Sequence, residues 1–351
     1  MKKRLVELLV CPECKKELKL EVFKEDKEIE EGLLRCDGCD TNYPIINGIP
    51  RLLIISLLPE LRRYHKEFFK KYNDKFSKIK KFLDKGDSVL EGTKRTLKSY
   101  SYQWRTFDEM LKEWQIYFDD YMHPFKPDFF KNKLVLDVGC GYGRIAYYSA
   151  KYGAEVVAMD LSEAVESAYK NTRDFDKCHV VQGSIYDIPF KKKFDFIYNV
   201  GVIQHLPKKE EGFVKLTEQM RENSTLYVWV YSKRKGIYNL IYPLRLFTTR
   251  MPFKMLKGVC LFCASLQYLL VLLPYRLMMK TPLRKFAKKM QYTNYANYPF
   301  KYNYADWFDR LSVPLTGGFD KEEVENWFKK NGLKNIKVFP RNTGWRGVGE
   351  K

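Results

Sequence analysis

The stretch that decides the fold is Lys133-Leu-Val-Leu-Asp-Val-Gly-Cys-Gly-Tyr-Gly-Arg144. It begins as an apolar strand and ends in three glycines, and a helix is predicted to follow over residues 145–152. Glycine lets the backbone pass close to a ligand, and a helix N-terminus offers free N–H groups. A second predicted strand, residues 155–159, leads into Asp160, where a carboxylate can bind the ribose hydroxyls of an adenosine cofactor. The stretch therefore predicts a nucleotide-binding α/β unit.

Two kinds of adenosine cofactor fit a strand, a glycine-rich turn and a helix. Dinucleotide-binding folds use the spacing G-x-G-x-x-G, whereas the glycines here, at 139, 141 and 143, are spaced G-x-G-x-G. Asp137 stands two residues before the first glycine. A carboxylate there attracts the cationic amino group of S-adenosylmethionine and repels a pyrophosphate. The sequence therefore favours S-adenosylmethionine.

The glycine stretch resembles motif I of the class I S-adenosylmethionine-dependent methyltransferases, of the type 11 kind. Two later segments follow in that family's order. Residues 182–190, Gln-Gly-Ser-Ile-Tyr-Asp-Ile-Pro-Phe, resemble the third cofactor strand, and residues 194–207 resemble the fourth strand and the segment after it. The resemblance implies an α/β fold with the Rossmann-like methyltransferase sheet.

The same resemblance implies a set of cofactor-binding residues, assigned position by position. They are Asp137, Gly139, Cys140, Gly141, Asp160, Leu161, Ser184, Ile185, Asp187 and Val200. The motif I residues would line the methionine end, and Cys140 is interpreted as a small residue filling the glycine turn. Ser184 stands where many relatives carry Asp, so adenine recognition is assigned to the Ile185 backbone or to Asp187.

His205 is the leading candidate for a catalytic base. Its segment follows the fourth strand, near the expected position of the methyl group, and histidine titrates close to neutral pH. The alternative is that His205 only packs beside the cofactor and orders the loop. Methyl transfer depends mainly on alignment, and a base is needed only when the acceptor must lose a proton.

Tyr102, Gln103 and Trp104 are tentative substrate or pocket residues. They lie in a predicted helix before the first strand, and the family often covers the cofactor with such a helix. The equally weighted alternative is an aromatic anchor in a helical linker.

Four cysteines near the N-terminus predict a metal site. Cys11-Pro-Glu-Cys14 and Cys36-Asp-Gly-Cys39 are two C-x2-C pairs that can present four thiolates to one tetrahedral Zn²⁺. Four sulfur ligands leave no open position, so this zinc would be structural. The alternative is four unliganded thiols, which leaves a short segment with little core to stabilise it.

Residues 9–14 and 43–53 resemble the small zinc-ribbon activator proteins that bind and stabilise methyltransferases. The resemblance implies that a methyltransferase should follow. We therefore predict a zinc ribbon over residues 1–55, a helical linker or cap over 56–125, and a methyltransferase domain over 126–351.

The charge of the chain is unevenly distributed. Its 351 residues carry a net charge of +20, a balance typical of proteins with polyanionic partners. Between Asn223 and Ala305 there is no Asp or Glu, whereas fourteen Lys and Arg residues occur there. The basicity therefore belongs largely to this segment, with its charges at residues 233–301.

The basic segment coincides with an insertion expected over about 236–315, after the fifth strand. Residues 258–275 are uncharged, at the lower edge of the length of a membrane span. No transmembrane span is expected, because sheet strands are predicted on both sides of this run. The alternatives are a lid over an oily substrate, a surface that contacts an anionic membrane, a surface that contacts RNA, and a helical cap without a ligand. The tail from Arg341 to Gly347 is interpreted as structurally idle, or as facing the substrate.

The N-terminus lacks the pattern of a secretory signal, so a cytoplasmic protein is expected, with peripheral membrane contact as an addition. The expected function is transfer of a methyl group from S-adenosylmethionine to a small or lipid-like metabolite. The alternatives are a tRNA or rRNA methyltransferase and a non-catalytic regulatory protein that binds S-adenosylmethionine.

Overall fold

Eleven strands form one continuous sheet in the computed structural model. The structure describes residues 1–54, 57–76, 89–191, 194–233, 238–290, 295–296, 298–314, 316–341 and 343–351. The strands are β1 (Lys19–Glu25), β2 (Ile29–Cys36), β3 (Thr41–Ile46), β4 (Ile49–Leu52), β5 (Leu134–Val138), β6 (Glu155–Asp160), β7 (Cys178–Gly183), β8 (Phe194–Val200), β9 (Met220–Tyr231), β10 (Lys334–Arg341) and β11 (Gly344–Glu350). Their order across the sheet is β1-β2-β3-β4-β7-β6-β5-β8-β9-β11-β10.

The helices cover both faces of the sheet and the carboxyl ends of its central strands. They are α1 (Leu58–Tyr64), α2 (Lys66–Lys71), α3 (Val89–Thr106), α4 (Trp114–Met122), α5 (Arg144–Lys151), α6 (Ala164–Thr172), α7 (Lys209–Thr217), α8 (Tyr238–Thr248), α9 (Phe253–Gln267), α10 (Leu273–Met278), α11 (Arg284–Ala287), α12 (Phe300–Ser312) and α13 (Lys321–Lys330). Strands β4 to β9 run parallel in the sheet, and β11 is antiparallel to β9 and β10.

Alternating side chains of the central strands supply two separate cores. Val135 of β5 packs in the core formed with α4, α5 and α6, whereas its neighbour Leu136 packs in the core formed with α7 and α13. Both side chains are fully buried. Near-continuous apolar strands of this kind are typical of a parallel sheet covered on both faces.

The N-terminal segment is joined to this sheet by backbone pairing. A two-residue turn at Asn47-Gly48, with φ values of 54° and 76°, connects β3 to β4, as expected for a tight hairpin. Strand β4 then pairs in parallel with β7, so that Arg51 lies opposite Gln182. Residues 1–55, predicted as a separate zinc ribbon, thus share one sheet with the methyltransferase strands, which the sequence did not indicate.

A buried ion-pair network strengthens the junction between β4 and β7. The Arg51 side chain is fully buried and donates to Gln182 Oε1 at 2.9 Å, and it pairs with Glu163 and Glu166. His65 Nε2 lies 3.0 Å from the Glu163 carboxylate. Burial raises the pKa of Glu163, but the hydrogen bond from His65 and the charge of Arg51 outweigh it and lower the pKa to about 2.

The C-terminal tail is a strand rather than an idle extension, so that interpretation was wrong. Strand β11 lies between β9 and β10 in the sheet. Its glycines hid it, because glycine is unfavourable in strands unless something packs closely on it. Here Phe328 of α13 occupies that space, and an added Cβ at Gly347 or Gly349 would lie only 2.6 or 2.5 Å from its ring.

Helices α8 to α12 form a layer above the sheet. The buried residues Leu256 and Cys260 of α9 pack with Phe308 and Leu311 of α12 and with Phe107. The run from Phe253 to Met278 is 26 residues long, and it is apolar enough to cross a membrane by length and composition, with 22% of its apolar window buried. The basic segment predicted from the sequence also contains Arg234, Lys235 and Tyr292, which lie outside the described residues.

Replacing Arg51 with Met is expected to destabilise the fold by ~3–5 kcal/mol, because it leaves the Glu163 carboxylate buried without its cationic partner. Urea denaturation of both proteins at pH 7 measures the change. Arg35→Met is the matched control, since Arg35 forms an exposed pair with Asp37 and such pairs contribute little. Equal destabilisation by the two substitutions would contradict the assignment.

The same network sets a pH dependence. A carboxyl with a lowered pKa stabilises the fold above its unfolded pKa, near 4.5 for Glu163, and this contribution is lost as the pH falls toward about 2. We expect the wild type to lose this part of its stability between pH 4.5 and 2. In Arg51→Met the Glu163 pKa should no longer be held so low, so less stability should be lost between pH 4.5 and 2, which parallel denaturation curves would detect.

Candidate active site

A cavity of about 900 Å³ lies at the carboxyl ends of the central parallel strands. Its floor is formed by the ends of β5, β6 and β8, and its walls come from α3, α4 and α12. This is where open α/β sheets bind ligands. The volume is at the upper end of the range for small-molecule sites, so a cofactor and a small acceptor can share it.

The glycine turn forms one corner of the cavity as the sequence predicts. Gly139 and Gly141 have positive φ angles of 83° and 55°, which other residues rarely adopt. A Cβ added at Gly139 would lie 2.2 Å from the Val202 side chain. The turn is therefore accessible only to glycine at its first position, and α5 starts directly after it at Arg144.

Asp160 stabilises this turn from the end of β6. One carboxylate oxygen accepts from the Gly141 amide at 2.9 Å, and the other accepts from the Ser162 amide and hydroxyl at 2.8 and 2.7 Å. Burial raises the pKa of Asp160 against the effect of these hydrogen bonds. The residue lines the cavity and also holds two of its loops together.

Asp137 presents a buried carboxylate to the cavity. Asp137 is 2% exposed, and its Oδ2 atom has no hydrogen-bond partner among the described residues. Burial raises the pKa of Asp137 well above its usual value. An unsatisfied buried oxygen is costly unless a ligand completes it, and a cationic amino group is the ligand that would stabilise the ionised form.

Most of the other predicted cofactor residues also reach the cavity. Those that line it are Cys140, Leu161, Ser184, Ile185 and Val200. Burial raises the pKa of the Cys140 thiol, which agrees with a space-filling role. Asp187 is absent from the lining among the described residues and faces the charges of Lys15 and Lys215. Its predicted contact with adenine is not supported by this position.

His205 lies at the cavity wall between two tyrosines. Its ring meets those of Tyr100 and Tyr231 edge-on, with centroid distances of 5.3 and 5.7 Å. The residue is 8% exposed. This packing fixes the orientation of the imidazole, and its position beside the end of β8 suits either of the roles predicted for it.

The three tentative substrate residues on α3 separate into two groups. Gln103 and Trp104 line the cavity, and the Trp104 ring lies 5.2 Å from that of Tyr142. Tyr102 instead packs against Phe253 and Phe308 in the helical layer. Successive helical residues are about 100° apart around the axis, so the three cannot all face one cavity. For Tyr102 the structure agrees with the anchor alternative.

An aromatic box around Arg144 was missed by the sequence analysis. The guanidinium lies 3.9 Å from the centroid of the Tyr117 ring and 5.2 Å from that of Trp114, and it donates to the Tyr117 hydroxyl. No carboxylate forms an ion pair with Arg144 within the described ranges. The signal in the sequence that could have pointed to Arg144 was its position directly after the glycine turn. Its aromatic partners come from α4, over 20 residues earlier in the chain.

A second arginine reaches the cavity from the end of β10. The Arg341 guanidinium lies 3.2 Å from the centroid of the Tyr121 ring and pairs with Asp120 at 2.5 Å. Arg346 pairs with the same carboxylate at 3.0 Å. This part of the cavity therefore combines aromatic rings with charged side chains of both signs, because Asp120, Asp306 and Asp309 line the cavity as well.

The four N-terminal cysteines meet at one point. All four Sγ atoms lie within 4.8 Å of one another, with Cys11 to Cys39 at 3.5 Å and Cys14 to Cys36 at 3.3 Å. The buried Tyr43 hydroxyl lies 3.3 Å from Cys11 Sγ, as in the outer hydrogen bonds that orient metal ligands. This donor set and its closed geometry fit a tetrahedral metal.

The sheet order, the antiparallel final hairpin and the glycine turn beside the cavity define a class I methyltransferase fold with an N-terminal cysteine ribbon. In agreement, residues 136–228 match the methyltransferase domain family and residues 2–48 match the Trm112p-like protein family. The chain thus joins a Trm112p-like domain to an S-adenosylmethionine-dependent methyltransferase domain.

Individual relatives share only part of the chain. Protein arginine N-methyltransferase 1 of Saccharomyces cerevisiae is 41% identical over 71 residues, 18% of this chain and 20% of its own length. Ubiquinone biosynthesis O-methyltransferase of Rickettsia akari is 28% identical over 108 residues, 30% of this chain and 43% of its own length. The structure of human N-acetylserotonin methyltransferase with S-adenosylmethionine has a TM-score of 0.46 and 9% identity, covering 76% of this chain and 60% of that one. The chain spans less than half the length of these two curated relatives.

Proposed function

We propose that the protein transfers a methyl group from S-adenosylmethionine to a small or lipid-like acceptor in the 900 Å³ cavity. The observation that carries the proposal is the buried, unsatisfied Oδ2 of Asp137 beside the glycine turn. This atom fits the amino group of the cofactor. Asp160 at the end of β6 fits the ribose hydroxyls, and Leu161 and Ile185 provide apolar contacts for the adenine.

When bound, S-adenosylmethionine would supply a methyl group on a positively charged sulfur. The acceptor atom would attack the methyl carbon in line, and the neutral thioether would leave with the electrons of the broken carbon–sulfur bond. The residues of this chain position the two reactants and exclude water. Trp104 of α3 and Tyr302 of α12 both line the cavity, so these helices shield the reacting atoms. His205 would receive a proton where the acceptor atom carries one, and otherwise its ring would orient the acceptor.

The acceptor end favours a small amphiphilic molecule. Its walls combine aromatic rings with the Arg144 and Arg341 guanidinium groups, which suits an acceptor with a planar or anionic portion. Curated relatives named as ubiquinone O-methyltransferases, arginine N-methyltransferases and a tRNA U34 carboxymethyltransferase all share this domain. RNA and protein therefore remain outcomes of the test below.

The four-cysteine cluster is proposed to hold one structural Zn²⁺. Its sulfur atoms fit a closed tetrahedral site without an open position for substrate. The metal would fix the ribbon from which β3 and β4 extend toward the catalytic sheet.

Asp137→Asn is expected to weaken S-adenosylmethionine binding about 10- to 100-fold, because a charge-assisted hydrogen bond contributes ~1.5–3 kcal/mol. Calorimetric titration of the purified protein measures the affinity. Asp128→Asn, at an exposed carboxylate, is the matched control and should bind normally. Unchanged affinity in Asp137→Asn would remove the cofactor assignment.

Incubation of cell extract with the protein and methyl-labelled S-adenosylmethionine is expected to place the label in the solvent-extractable fraction. The Asp137→Asn protein serves as the matched control and should transfer little label. Label that becomes soluble only after ribonuclease or protease treatment would contradict a small or lipid-like acceptor and assign RNA or protein instead.

Metal analysis of the native protein is expected to find one zinc per chain. Cys36→Ser should lose the metal and lower the melting temperature, since a closed zinc site contributes directly to folding. Cys263→Ser, at a thiol outside the cluster, should retain both properties. Native protein without metal would overturn the proposed site.

A further inference from the structure

Exposed large apolar side chains are concentrated in one part of the molecule. Thirteen of the seventeen in the described chain lie between residues 244 and 286. We call them the apolar helix surface: Leu244, Leu246, Phe247, Met255, Leu261, Phe262, Leu266, Leu269, Leu270, Leu273, Leu277, Leu283 and Phe286. Apolar side chains that are exposed singly are normal on a soluble protein, whereas a concentration of this kind indicates an interaction site.

The middle of this surface is one face of the helical run from Phe253 to Met278, which carries eight of the thirteen side chains. The opposite face is covered, because Leu256, Cys260 and Ala264 recur every four residues and are fully buried. Phe262 and Leu270, by contrast, are 67% and 66% exposed. The run is about 39 Å long at 1.5 Å per residue, so the exposed face is an extended stripe.

Exposed cations flank the stripe at both ends. Arg250 and Lys254 lie at its beginning, and the group after its end consists of Lys280, Arg284, Lys285, Lys288 and Lys289. Between Lys257 and Arg276 there is no charged residue, and no acidic residue occurs from Asn223 to Ala305. An apolar centre with basic flanks is typical of helices that lie in the plane of an anionic membrane.

The fold argues against a single crossing of a membrane by this run. Strand β9 precedes the run and β11 follows it, and their backbones pair from Tyr231↔Gly344 to Thr225↔Glu350. Both ends of the run must therefore return to the same sheet. Other occupants fit less well, because a second copy would oppose like charges and RNA would leave the apolar stripe uncovered.

We propose that the apolar helix surface docks the protein on the anionic face of a lipid bilayer. The stripe would enter the level of the acyl chains while the flanking cations meet lipid phosphates. Helix α12 contacts α9 through Asn303, which donates to the Ala264 carbonyl, and it lines the cavity through Tyr302. The docking surface and the acceptor cavity thus share one helical layer, and an amphiphilic acceptor, if the proposed function holds, would be delivered from the membrane.

Vesicle flotation without cofactor or acceptor tests the docking itself. The full chain is expected to float with vesicles in which phosphatidylglycerol makes up about 30% of the lipid. With vesicles of pure phosphatidylcholine, the floating fraction of the protein should be at least tenfold lower. Added salt should weaken binding to the anionic vesicles. Phe262→Ser/Leu266→Ser/Leu270→Ser should reduce flotation at least tenfold. Val22→Ser/Val214→Ser, at exposed apolar positions elsewhere, is the control and should float normally.

A charge-reversal pair tests the electrostatic part independently. Lys285→Glu/Lys288→Glu/Lys289→Glu should lose the preference for anionic vesicles, whereas Lys112→Glu/Lys330→Glu/Lys334→Glu, with the same change in net charge, should keep it. Absence of flotation by the wild type would overturn the proposal. Two other results would also overturn it. They are a dimer in sedimentation, or a complex with RNA, that the substitutions abolish when the wild type does not bind vesicles. Because flotation requires no S-adenosylmethionine, its failure would leave the proposed methyltransferase activity standing.

Discussion

The structure depends on the buried guanidinium of Arg51, which joins the N-terminal domain to the catalytic sheet. Its partner Gln182 also donates to the Leu161 carbonyl at 3.0 Å, and the backbone N–H of its partner Glu163 donates to the Ser101 hydroxyl of α3 at 3.1 Å. These bonds connect the cysteine ribbon, the cap helix and the loop after β6. A buried ion pair of this kind tolerates little displacement, because separating the charges leaves one of them desolvated and unpaired.

The same bonds connect the ribbon to a loop at the edge of the cavity. The loop that begins at Leu161 borders the proposed adenine site, and the same loop contains Glu163. The ribbon thus supports the site indirectly, through strand pairing and one charge network, while the cysteines themselves lie outside the cavity lining.

Local patterns predicted which residues meet at the glycine turn and in the cysteine cluster, and long-range packing escaped them. The glycine turn, Asp137 and the cysteine pairs are recognisable because each is defined by residues close in sequence. The box around Arg144 and the partners of Arg51 come from distant elements, so spacing gave no indication of them. Tyr102 and Asp187 were assigned by adjacency to residues that do line the cavity, but the helix and the turn point their side chains elsewhere. Strand β11 was missed because glycine has a low strand propensity. Its glycines are explained by the ring of Phe328, which packs directly on them.

The parallel pairing of β4 with β7 has a consequence for biosynthesis. Arg51 is synthesised 131 residues before Gln182, so the outer edge of β4 stays unpaired on the ribosome until β7 has been made. An open strand edge invites pairing with other nascent chains. Strand β4 carries Pro50, which lacks an N–H, and a charged arginine beside it, two features that discourage such pairing. The residues that lock the finished sheet therefore also protect the unfinished one.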